Sequence, residues 1–578
     1  MLAALAVVPL VLAAADVSPA DDVFVTVRYE SADTLQALAS QFPHLIVDRK
    51  RGTAATDMTR EELESLRAAG YTAEIDLEKT AKIAEANAAF ASGNAKSIPG
   101  YACYRMVEET YATMDSLAQT YPKMAEVIDI GPSFERARDA TRGYRMRVLR
   151  VGNRSTDDTI ADKANMVVLS SIHAREYTPA ELMTRFAEWL LQGYGTDPEA
   201  SWLMDNYKFH LVLQANPDGR KRAEAGVSWR KNTNNTNGTC GNGRFGTDLN
   251  RNYPYHWNTV SGGSSGDPCI DTYRGPRAAS EAETQNIGRY VAGFRGRGGV
   301  YEGGVLPDRR EDRIDHAAPD DYRGVFLDIH SYSQLVLWSW GDTPNPAPNM
   351  QGLRAFGRRM AWFNGYYPQQ SDELYATDGT TDDTFYGLLG APSYTLELGV
   401  AFFESCSTFQ SSTLPQNLAA LKYIARNLDA PYRFPSGPDT VSVTAPTGAI
   451  VAGTPIEITA LVDDNRFSTE NTTGGLEPTH NVVGATATFD RMPWHAGAVS
   501  QPLVASDGAW DELSETVRVT LSTAGLAPGV HTIYVQGVDA SGQVGTPNAA
   551  RVRIVASAAD LGGEPGDTGP ALLADDFE

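Results

Sequence analysis

Four short apolar runs stand between longer segments with helical periodicity in the middle of the chain. In chain order they are NMVVLSSI (165–172), KFHLVLQA (208–215), GVFLDI (324–329) and SYTLEL (393–398). Continuous apolar runs of this length are typical of strands that are buried on both faces. Because such strands alternate here with helical segments, we expect an α/β domain over residues 97–432, with a mixed, mainly parallel sheet covered by helices on both faces.

The hydrophobic pattern before this domain predicts a separate small α/β unit. VFVTVRY (23–29) alternates like a strand, and a helix and a second strand follow it. Thr59 and Glu62 form a capping box that opens the next helix, which Gly70 closes before strand character resumes. The segment 79–98 is rich in Ala, Asn, Lys and Ser, which is typical of an exposed connector. We therefore assign residues 16–96 to a small folded unit and its linker.

After residue 437 the apolar positions recur at every second residue, as in a β-strand, and no longer with a helical period. TVSVTAP, PIEITALVDD, GATATFD, TVRVTLS, HTIYVQGVD and ARVRIV alternate apolar and polar positions and are divided by Gly, Pro and Asp turns. This pattern predicts an antiparallel β-sandwich of immunoglobulin-like type over residues 438–557. The final segment, 558–578, is small and acidic, and its composition predicts disorder.

Composition and charge exclude some classes of partner. The chain has 578 residues, too many for one hydrophobic core, and its 42% hydrophobic and 21% charged content is that of an ordinary globular protein. The net charge is −23. Because an acidic chain is repelled by phosphate backbones, we expect no nucleic-acid partner. No internal stretch reaches the roughly 20 apolar residues of a membrane span, so none is expected.

The N-terminus and the cysteines indicate an oxidising compartment. The opening apolar segment ends at Ala13-Ala14-Ala15 and then turns acidic, which predicts a signal peptide at 1–15 and export to the extracellular space or periplasm. A buried strand or a misplaced start is the alternative, because the basic segment of a usual signal is missing. Four cysteines are compatible with two disulfides, whereas their wide spacing does not fit a structural zinc site.

Polar side chains that suit metal chemistry lie at the carboxyl ends of three of these four strands. His173 and Glu176 follow the first strand, His330 follows the third, and Glu397 lies on the fourth. Ligands bind outside the carboxyl ends of strands in open α/β sheets, so these groups are expected to converge. His173 and Glu176 can face one cation, and His330 would complete a catalytic zinc set with one position left for water. The alternative is that both histidines are ordinary buried residues.

The motifs around these residues narrow the interpretation. SSIHAREYTPAEL, SWRKN, TDLNRNYPY, TYRGPRAASEAE, LDIHSYSQLVLW and SYTLELG occur in this order. In these motifs the chain resembles the carboxypeptidase A/B family of zinc peptidases, and within it bacterial carboxypeptidase T, over roughly residues 97–432. The resemblance implies the zinc carboxypeptidase fold, one zinc ion, and peptide or protein C-termini as substrates.

The resemblance also assigns the catalytic roles. It implies that His173, Glu176 and His330 are the zinc ligands and that Asp248 orients the first histidine. Glu397 matches the general base that takes a proton from water on the zinc. Arg230 matches the cation that stabilises the oxyanion at the scissile carbonyl.

Substrate contacts follow from the same motifs. Asn250 and Arg251 match the clamp on the substrate's terminal carboxylate, for which a guanidinium fork is well shaped. Tyr375 matches the tyrosine that closes over that carboxylate. Arg175 and Tyr332 match residues that line the groove outside the terminal pocket.

One further residue bears on specificity. Asp382, seven positions after Tyr375, matches the residue that sets C-terminal preference in this family, and an acid there implies that Lys and Arg are accepted. Asp383 or Asp378 could turn inward instead, or the acid could be solvated in a broad pocket.

The cysteines are interpreted through the resemblance as well. Cys240 and Cys269 bracket the DLNRN loop much as a family disulfide does. Cys103 and Cys406 have no clear family counterpart and would be left to pair with each other. The pairing therefore stays open at this point.

Together these observations predict a secreted, monomeric zinc carboxypeptidase precursor. The unit at 16–96 is interpreted as an inhibitory pro-segment that folds over the cleft and is cut near Lys96-Ser97. Two alternatives remain. An amidohydrolase of peptidoglycan or N-acyl amino acids could use the same scaffold, although it would have less need of the Asn250, Arg251 and Tyr375 clamp. A non-catalytic binding protein would have no need of Glu397.

Overall fold

The computed structural model describes residues 22–561 apart from 43–44, 49–50, 82–96, 99, 158–159, 161–162, 242 and 466–476. The signal predicted at 1–15, most of the linker with Lys96, and the tail from 562 onward lie outside the described residues. The expectations for those segments remain predictions.

The N-terminal unit is a four-stranded antiparallel sheet with two helices. Its elements are β1 (Asp22–Arg28), α1 (Ala32–Gln41), β2 (Ile46–Asp48), β3 (Thr53–Thr59), α2 (Arg60–Ala68) and β4 (Ala73–Ile75), with sheet order β2-β3-β1-β4. The capping box is present: the Thr59 hydroxyl accepts from the Glu62 amide, and the Glu62 carboxylate accepts from the Thr59 amide. Strand β3 was missed because TAATDMT contains small and polar residues that do not stand out as a strand.

The central domain is built on one eight-stranded sheet, ordered β13-β12-β14-β11-β7-β8-β6-β5. Its strands are β5 (Ala125–Pro132), β6 (Arg145–Val151), β7 (Asn165–Ser170), β8 (Lys208–Val212), β11 (Val325–Ser331), β12 (Leu335–Trp338), β13 (Tyr367–Gln370) and β14 (Ser393–Leu398). A two-stranded hairpin outside the sheet contains β9 (Gly293–Arg295) and β10 (Tyr301–Gly303).

The four predicted strands are adjacent and parallel in the order β14-β11-β7-β8, which confirms the mixed, mainly parallel α/β fold. Every residue of β11 and β14 is buried, as continuous apolar runs require. The sheet is mixed because β5, β6 and β12 pair in antiparallel fashion at its two sides.

Helices cover both faces of the sheet. They are α3 (Val107–Thr120), α4 (Phe134–Arg138), α5 (Thr178–Gly193), α6 (Pro198–Asn206), α7 (Pro217–Glu224), α8 (Ala282–Val291), α9 (Met350–Asn364), α10 (Thr381–Leu389) and α11 (Leu414–Arg426). The sequence of α5 favours a cap at Thr178, but the helix begins at Thr178 itself and Tyr177 precedes it without a side-chain cap. Glu181 is instead paired with Arg105 at 2.8 Å and Arg185 at 2.9 Å. Glu181 therefore forms buried ion pairs with two arginines and does not act as a helix-capping residue.

The C-terminal region is a sandwich of two sheets, ordered β15-β17-β21-β20 and β16-β23-β22-β18-β19. Its strands are β15 (Asp439–Thr444), β16 (Ala449–Val451), β17 (Ile456–Asp463), β18 (Val482–Phe489), β19 (Gln501–Pro502), β20 (Val504–Ala505), β21 (Ser514–Leu521), β22 (Gly529–Asp539) and β23 (Asn548–Val555). The pairing is antiparallel except that β16 runs parallel to β23.

The sandwich packs on the central domain rather than standing apart from it. Met492, Tyr534 and Ala549 belong to the same buried apolar cluster as the central sheet. The Tyr534 hydroxyl also accepts a hydrogen bond from Asn206 Nδ2 at 2.9 Å. The two domains therefore share a core at this junction.

Two disulfides, Cys103–Cys406 and Cys240–Cys269, use all four cysteines. The first joins the segment before α3 to the segment after β14, and the second closes the loop that contains Asp248 and Arg251. Among the described residues, no helix has the length and apolar character that crossing a bilayer requires.

Candidate active site

The predicted metal-binding side chains converge at the carboxyl ends of the central strands. His173 and Glu176 lie in the turn between β7 and α5, and His330 lies near the end of β11. Glu397 on β14 is the register partner of His330, and directly paired residues of parallel strands project from the same face of the sheet. The sheet thus brings His173 and His330 together although they are 157 residues apart in the sequence.

Three donor groups lie close enough for one cation. His173 Nδ1 is 2.8 Å from Glu176 Oε1, His330 Nδ1 is 3.1 Å from Glu176 Oε2, and the two Nδ1 atoms are 3.0 Å apart. Ligand atoms that bind zinc at about 2.0–2.2 Å lie about 3.0–3.5 Å from one another. The observed separations are at or slightly below the short end of this range, so the three donors lie close enough to share a single zinc ion, and all three residues are buried.

Carboxylates behind the histidines fix which nitrogen faces the centre. His173 Nε2 lies 3.1 Å from Asp248 Oδ1, and His330 Nε2 lies 3.1 Å from Asp328 Oδ2. An imidazole whose Nε2–H is donated to a carboxylate keeps its lone pair at Nδ1, which is the arrangement of metal-bound histidines. Both Nδ1 atoms therefore present lone pairs to the same point, and these residues fit a zinc ion.

Asp328 is a site residue that the sequence reasoning missed. It lies two positions before His330 on β11, so both side chains project from the same face of the strand. Its Oδ2 also accepts a 2.6 Å hydrogen bond from the Thr381 hydroxyl. Strand alternation back from His330 was the signal that could have found it.

The electrostatics of the centre favour positive charge. Burial raises the pKa of Glu176, but the adjacent His173 and His330 outweigh it and bring the value to about 2. Burial lowers the pKa of His330, yet Asp328 and Glu176 raise it well above its usual range. The carboxylates that raise the pKa of His330 favour a positive charge at this point, so the same pocket is suited to a metal cation.

Asp248 links the metal-binding group to Arg230. Its Oδ2 accepts hydrogen bonds from Arg230 Nε at 3.0 Å and Nη2 at 2.8 Å, while its Oδ1 faces His173 and accepts from the Asn250 amide. Burial raises the pKa of Asp248, but the Arg230 and His173 charges hold it well below its usual range. Asp248 is therefore ionised and holds both side chains in place.

A cavity opens beside the metal-binding group. Its lining includes the following predicted site residues: His173, Arg230, Asn250, Arg251, His330, Tyr375, Asp382 and Glu397. Leu337, Ser371, Leu374, Thr377, Thr380 and Thr395 complete the lining. Burial raises the pKa of Glu397 to about 8, and its Oε2 has no hydrogen-bond partner among the described residues. A cavity beside the metal-binding group therefore holds one unsatisfied carboxylate oxygen.

Arg251 is held at the cavity wall by backbone carbonyls. Its Nε donates to Gly263 O at 3.1 Å and its Nη1 to Asn250 O at 2.7 Å. Asn250 is less available: its Oδ1 accepts from the Thr381 amide at 2.9 Å, and its Nδ2 lies 3.4 Å from His330 Nε2.

Among the three candidate acids, Asp382 is the one that lines this cavity. Its Oδ2 accepts hydrogen bonds from Ser371 at 3.1 Å and Thr395 at 3.3 Å. Asp383 turns away and accepts from the Gly341 amide, and Asp378 accepts from the Val260 amide and the Ser264 hydroxyl. The alternatives from the sequence are thus reduced to one residue at the pocket wall.

Arg175 and Tyr332 lie outside this cavity, where the N-terminal unit covers the groove. Tyr332 packs with Phe402 and with Phe24 of β1. The Arg175 guanidinium stacks over the Phe402 ring, and it lowers the pKa of Asp57 on β3, although burial raises that pKa more. The N-terminal unit therefore packs against both predicted groove residues.

Part of this chain is similar in sequence to known proteins. The zinc carboxypeptidase family matches residues 110–411. Carboxypeptidase B of Astacus astacus is 30% identical over 304 residues, which cover 51% of this chain and 86% of that protein. Carboxypeptidase A1 of Mus musculus is 28% identical over 309 residues, which cover 52% of this chain and 63% of that protein.

Solved structures agree with the fold. The carboxypeptidase A from Helicoverpa armigera aligns with a TM-score of 0.54 at 21% identity, over 71% of this chain and 98% of that chain. Thrombin activatable fibrinolysis inhibitor aligns with a TM-score of 0.53 at 20% identity, over 71% and 99%. The particular resemblance to carboxypeptidase T stays a prediction. With the family match spanning more than half its length, the chain belongs to the zinc carboxypeptidase family.

Proposed function

We propose that this protein is an exported zinc carboxypeptidase that hydrolyses the last peptide bond of peptides and proteins. The observation that carries the proposal is the shared cavity: Glu397, Arg251 and both histidines of the His173, Glu176 and His330 donor set line it. Zinc bound by the three donors would polarise the scissile carbonyl and make a water molecule more acidic.

The chain's own residues would supply the remaining chemistry. Glu397 would accept the proton of the attacking water and return it to the leaving amine, a role suited to a carboxylate whose pKa lies near neutrality. Arg230 would stabilise the negative charge that develops on the carbonyl oxygen, because it lies in the cavity wall and is oriented by Asp248.

Binding of the substrate terminus would depend on Arg251, with Asn250 and Tyr375 beside it. A guanidinium fixed by two backbone carbonyls can receive a terminal carboxylate with little loss of side-chain entropy. Asp382 would give the pocket a preference for Lys and Arg, since a buried carboxylate attracts a cationic side chain.

The N-terminal unit would act as an inhibitory pro-segment. Gln36 of α1 exchanges hydrogen bonds with the backbone of Ala376 and donates to Gly262 O. Val47 of β2 packs against the same apolar cluster as Tyr375, formed by Leu335, Leu337 and Leu374. These contacts block the route by which a long peptide would reach the cavity. Cleavage after the pro-segment, near Ser97, would open it.

The direct test is the release of amino acids from peptides whose C-terminus is either a carboxylate or an amide. Protein that has been cut near Ser97 and loaded with zinc should release one residue at a time from the peptide with a C-terminal carboxylate. Chelation of the zinc should stop this release. Equal cleavage of the amide, or activity confined to peptidoglycan stem peptides or N-acyl amino acids, would refute the proposal.

A further inference from the structure

Three potential ligands meet at one end of the sandwich, far along the chain from the active site. Asp464 follows β17, His480 precedes β18, and Asp539 ends β22. Each offers one donor atom, and these atoms lie within 4.8 Å of one another. Strand β17 belongs to one sheet of the sandwich, whereas β18 and β22 belong to the other. We call Asp464, His480 and Asp539 the junction cluster.

Each residue of the junction cluster has one buried atom that makes no hydrogen bond within the described part of the chain. These atoms are Asp464 Oδ1, His480 Nδ1 and Asp539 Oδ2. Asp464 is 0% exposed and Asp539 is 1% exposed. Leaving buried carboxylate oxygens without a donor is costly, so the arrangement calls for a positively charged partner.

The other atoms of the two carboxylates are already used. Asp464 Oδ2 accepts from the His480 amide at 2.6 Å, and Asp539 Oδ1 accepts from the Ser541 and Gln543 amides, both at 2.9 Å. These bonds hold each carboxylate so that its second oxygen stays within the cluster. The site is therefore organised in advance by backbone amides from two loops.

Protein cations near the cluster satisfy it only in part. Arg359 Nη2 of α9 lies 3.7 Å from Asp464 Oδ1, but the same guanidinium lies 3.4 Å from Asp439. His480 Nδ1 lies 3.6 Å from Asp539 Oδ2, which is too long for a hydrogen bond. Burial raises the pKa of Asp464 to about 6, Arg359 lowers it, and the Asp539 carboxylate raises it. Repulsion between the two carboxylates thus persists despite Arg359.

We propose that Asp464, His480 and Asp539 bind one divalent transition-metal ion, of the zinc or manganese type, which joins the two sheets of the sandwich beside helix α9. An imidazole nitrogen with two carboxylate oxygens suits such an ion, whereas calcium takes oxygen ligands. Donor atoms up to 4.8 Å apart must approach to about 3–3.5 Å, and the His480 side chain, 41% exposed, has room to move inward.

A matched control exists in the same sandwich. His531 has both ring nitrogens engaged, with Asp490 Oδ2 at 2.6 Å and with Ala527 O at 2.8 Å. It is therefore a histidine in the same domain, paired with a single aspartate, whose ring nitrogens are already satisfied.

The test is metal content of the full-length protein after equilibration with zinc or manganese and removal of the excess, measured by plasma mass spectrometry. Wild type and His531→Ala should hold two ions per chain, and His480→Ala and Asp539→Asn should hold one. Adding zinc to chelated protein should raise the melting temperature of wild type and His173→Ala, but the shift should be smaller in His480→Ala.

Three outcomes would overturn the junction site: one ion per chain in wild type that is lost in His173→Ala, a second ion that survives in His480→Ala, or occupancy by calcium alone. The His480 side chain is 41% exposed, so we expect His480→Ala to fold. This variant therefore tests the proposal even if Asp539→Asn does not fold. Loss of the catalytic ion in His173→Ala with the junction ion retained separates this proposal from the proposed function.

Discussion

Replacement of Arg251 by alanine is the sharpest test of exopeptidase action. The residue is 4% exposed, and backbone carbonyls hold two of its three guanidinium nitrogens. Nη2 makes no hydrogen bond to any described residue and is left for the substrate. Arg251→Ala removes the charge while leaving both carbonyl acceptors able to bind water.

The expected loss follows from the burial of this charge. Removing one partner of a buried, hydrogen-bonded charge pair costs 2–5 kcal/mol, and we take about 3 kcal/mol. At about 1.36 kcal/mol per tenfold change, kcat/KM for a peptide with a terminal carboxylate should fall about 150-fold. KM should rise and kcat should fall together, because the clamp both binds the terminus and positions the scissile bond.

The assay compares one peptide in its carboxylate and amide forms. In wild type the carboxylate form should be strongly preferred, and in Arg251→Ala this preference should fall by about the same 150-fold, because the slow reaction of the amide never used the clamp. Arg277→Ala, an exposed arginine on a neighbouring loop, is the matched control and should change neither rate. Wild-type kcat/KM in Arg251→Ala, or equal cleavage of both forms by wild type, would refute the reasoning.

Four further predictions concern the same enzyme. His173→Ala should remove the catalytic zinc and abolish hydrolysis, and full activity of that variant or of metal-free protein would contradict the ligand assignment. Asp382→Ala should lower the ratio of kcat/KM for Lys-ended over Leu-ended peptides by at least about tenfold, and an unchanged ratio would exclude Asp382 from specificity. Asp328→Ala should weaken zinc affinity by about 10–100-fold, measured by chelator competition, whereas unaltered affinity would show that it does not position His330. N-terminal sequencing of the secreted, active enzyme should give a start near Ser97, and a fully active form that begins before residue 80 would contradict the pro-segment assignment.

Local patterns in the sequence were enough for the main elements. The four buried strands were found because continuous apolar runs have no other stable place than a covered sheet. The capping box at Thr59 and Glu62 was found because its two hydrogen bonds lie within three residues. The expected cap at Thr178 is absent. Glu181 pairs instead with Arg105, which lies 76 residues earlier and is not part of the local pattern.

Long-range contacts decided what the sequence left open. Asp378, Asp382 and Asp383 are nearly equivalent in the sequence, and only the packing of α10 against the neighbouring loops turned Asp382 toward the cavity. The disulfide pairing was decided in the same way, because Cys103 and Cys406 are 303 residues apart and meet only in the folded domain.

Residue type, period and the order of short motifs were enough to establish the class of fold and the family, and to predict which side chains are reactive. The tertiary structure decided which groups meet. Strand register placed Glu397 beside His330, and packing between distant segments set the N-terminal unit over Tyr332 and brought Asp464, His480 and Asp539 together from two sheets. The physical reason is that helix caps and hydrophobic periodicity depend on near neighbours in the sequence, whereas metal binding requires donors from distant segments to share a few ångströms of space.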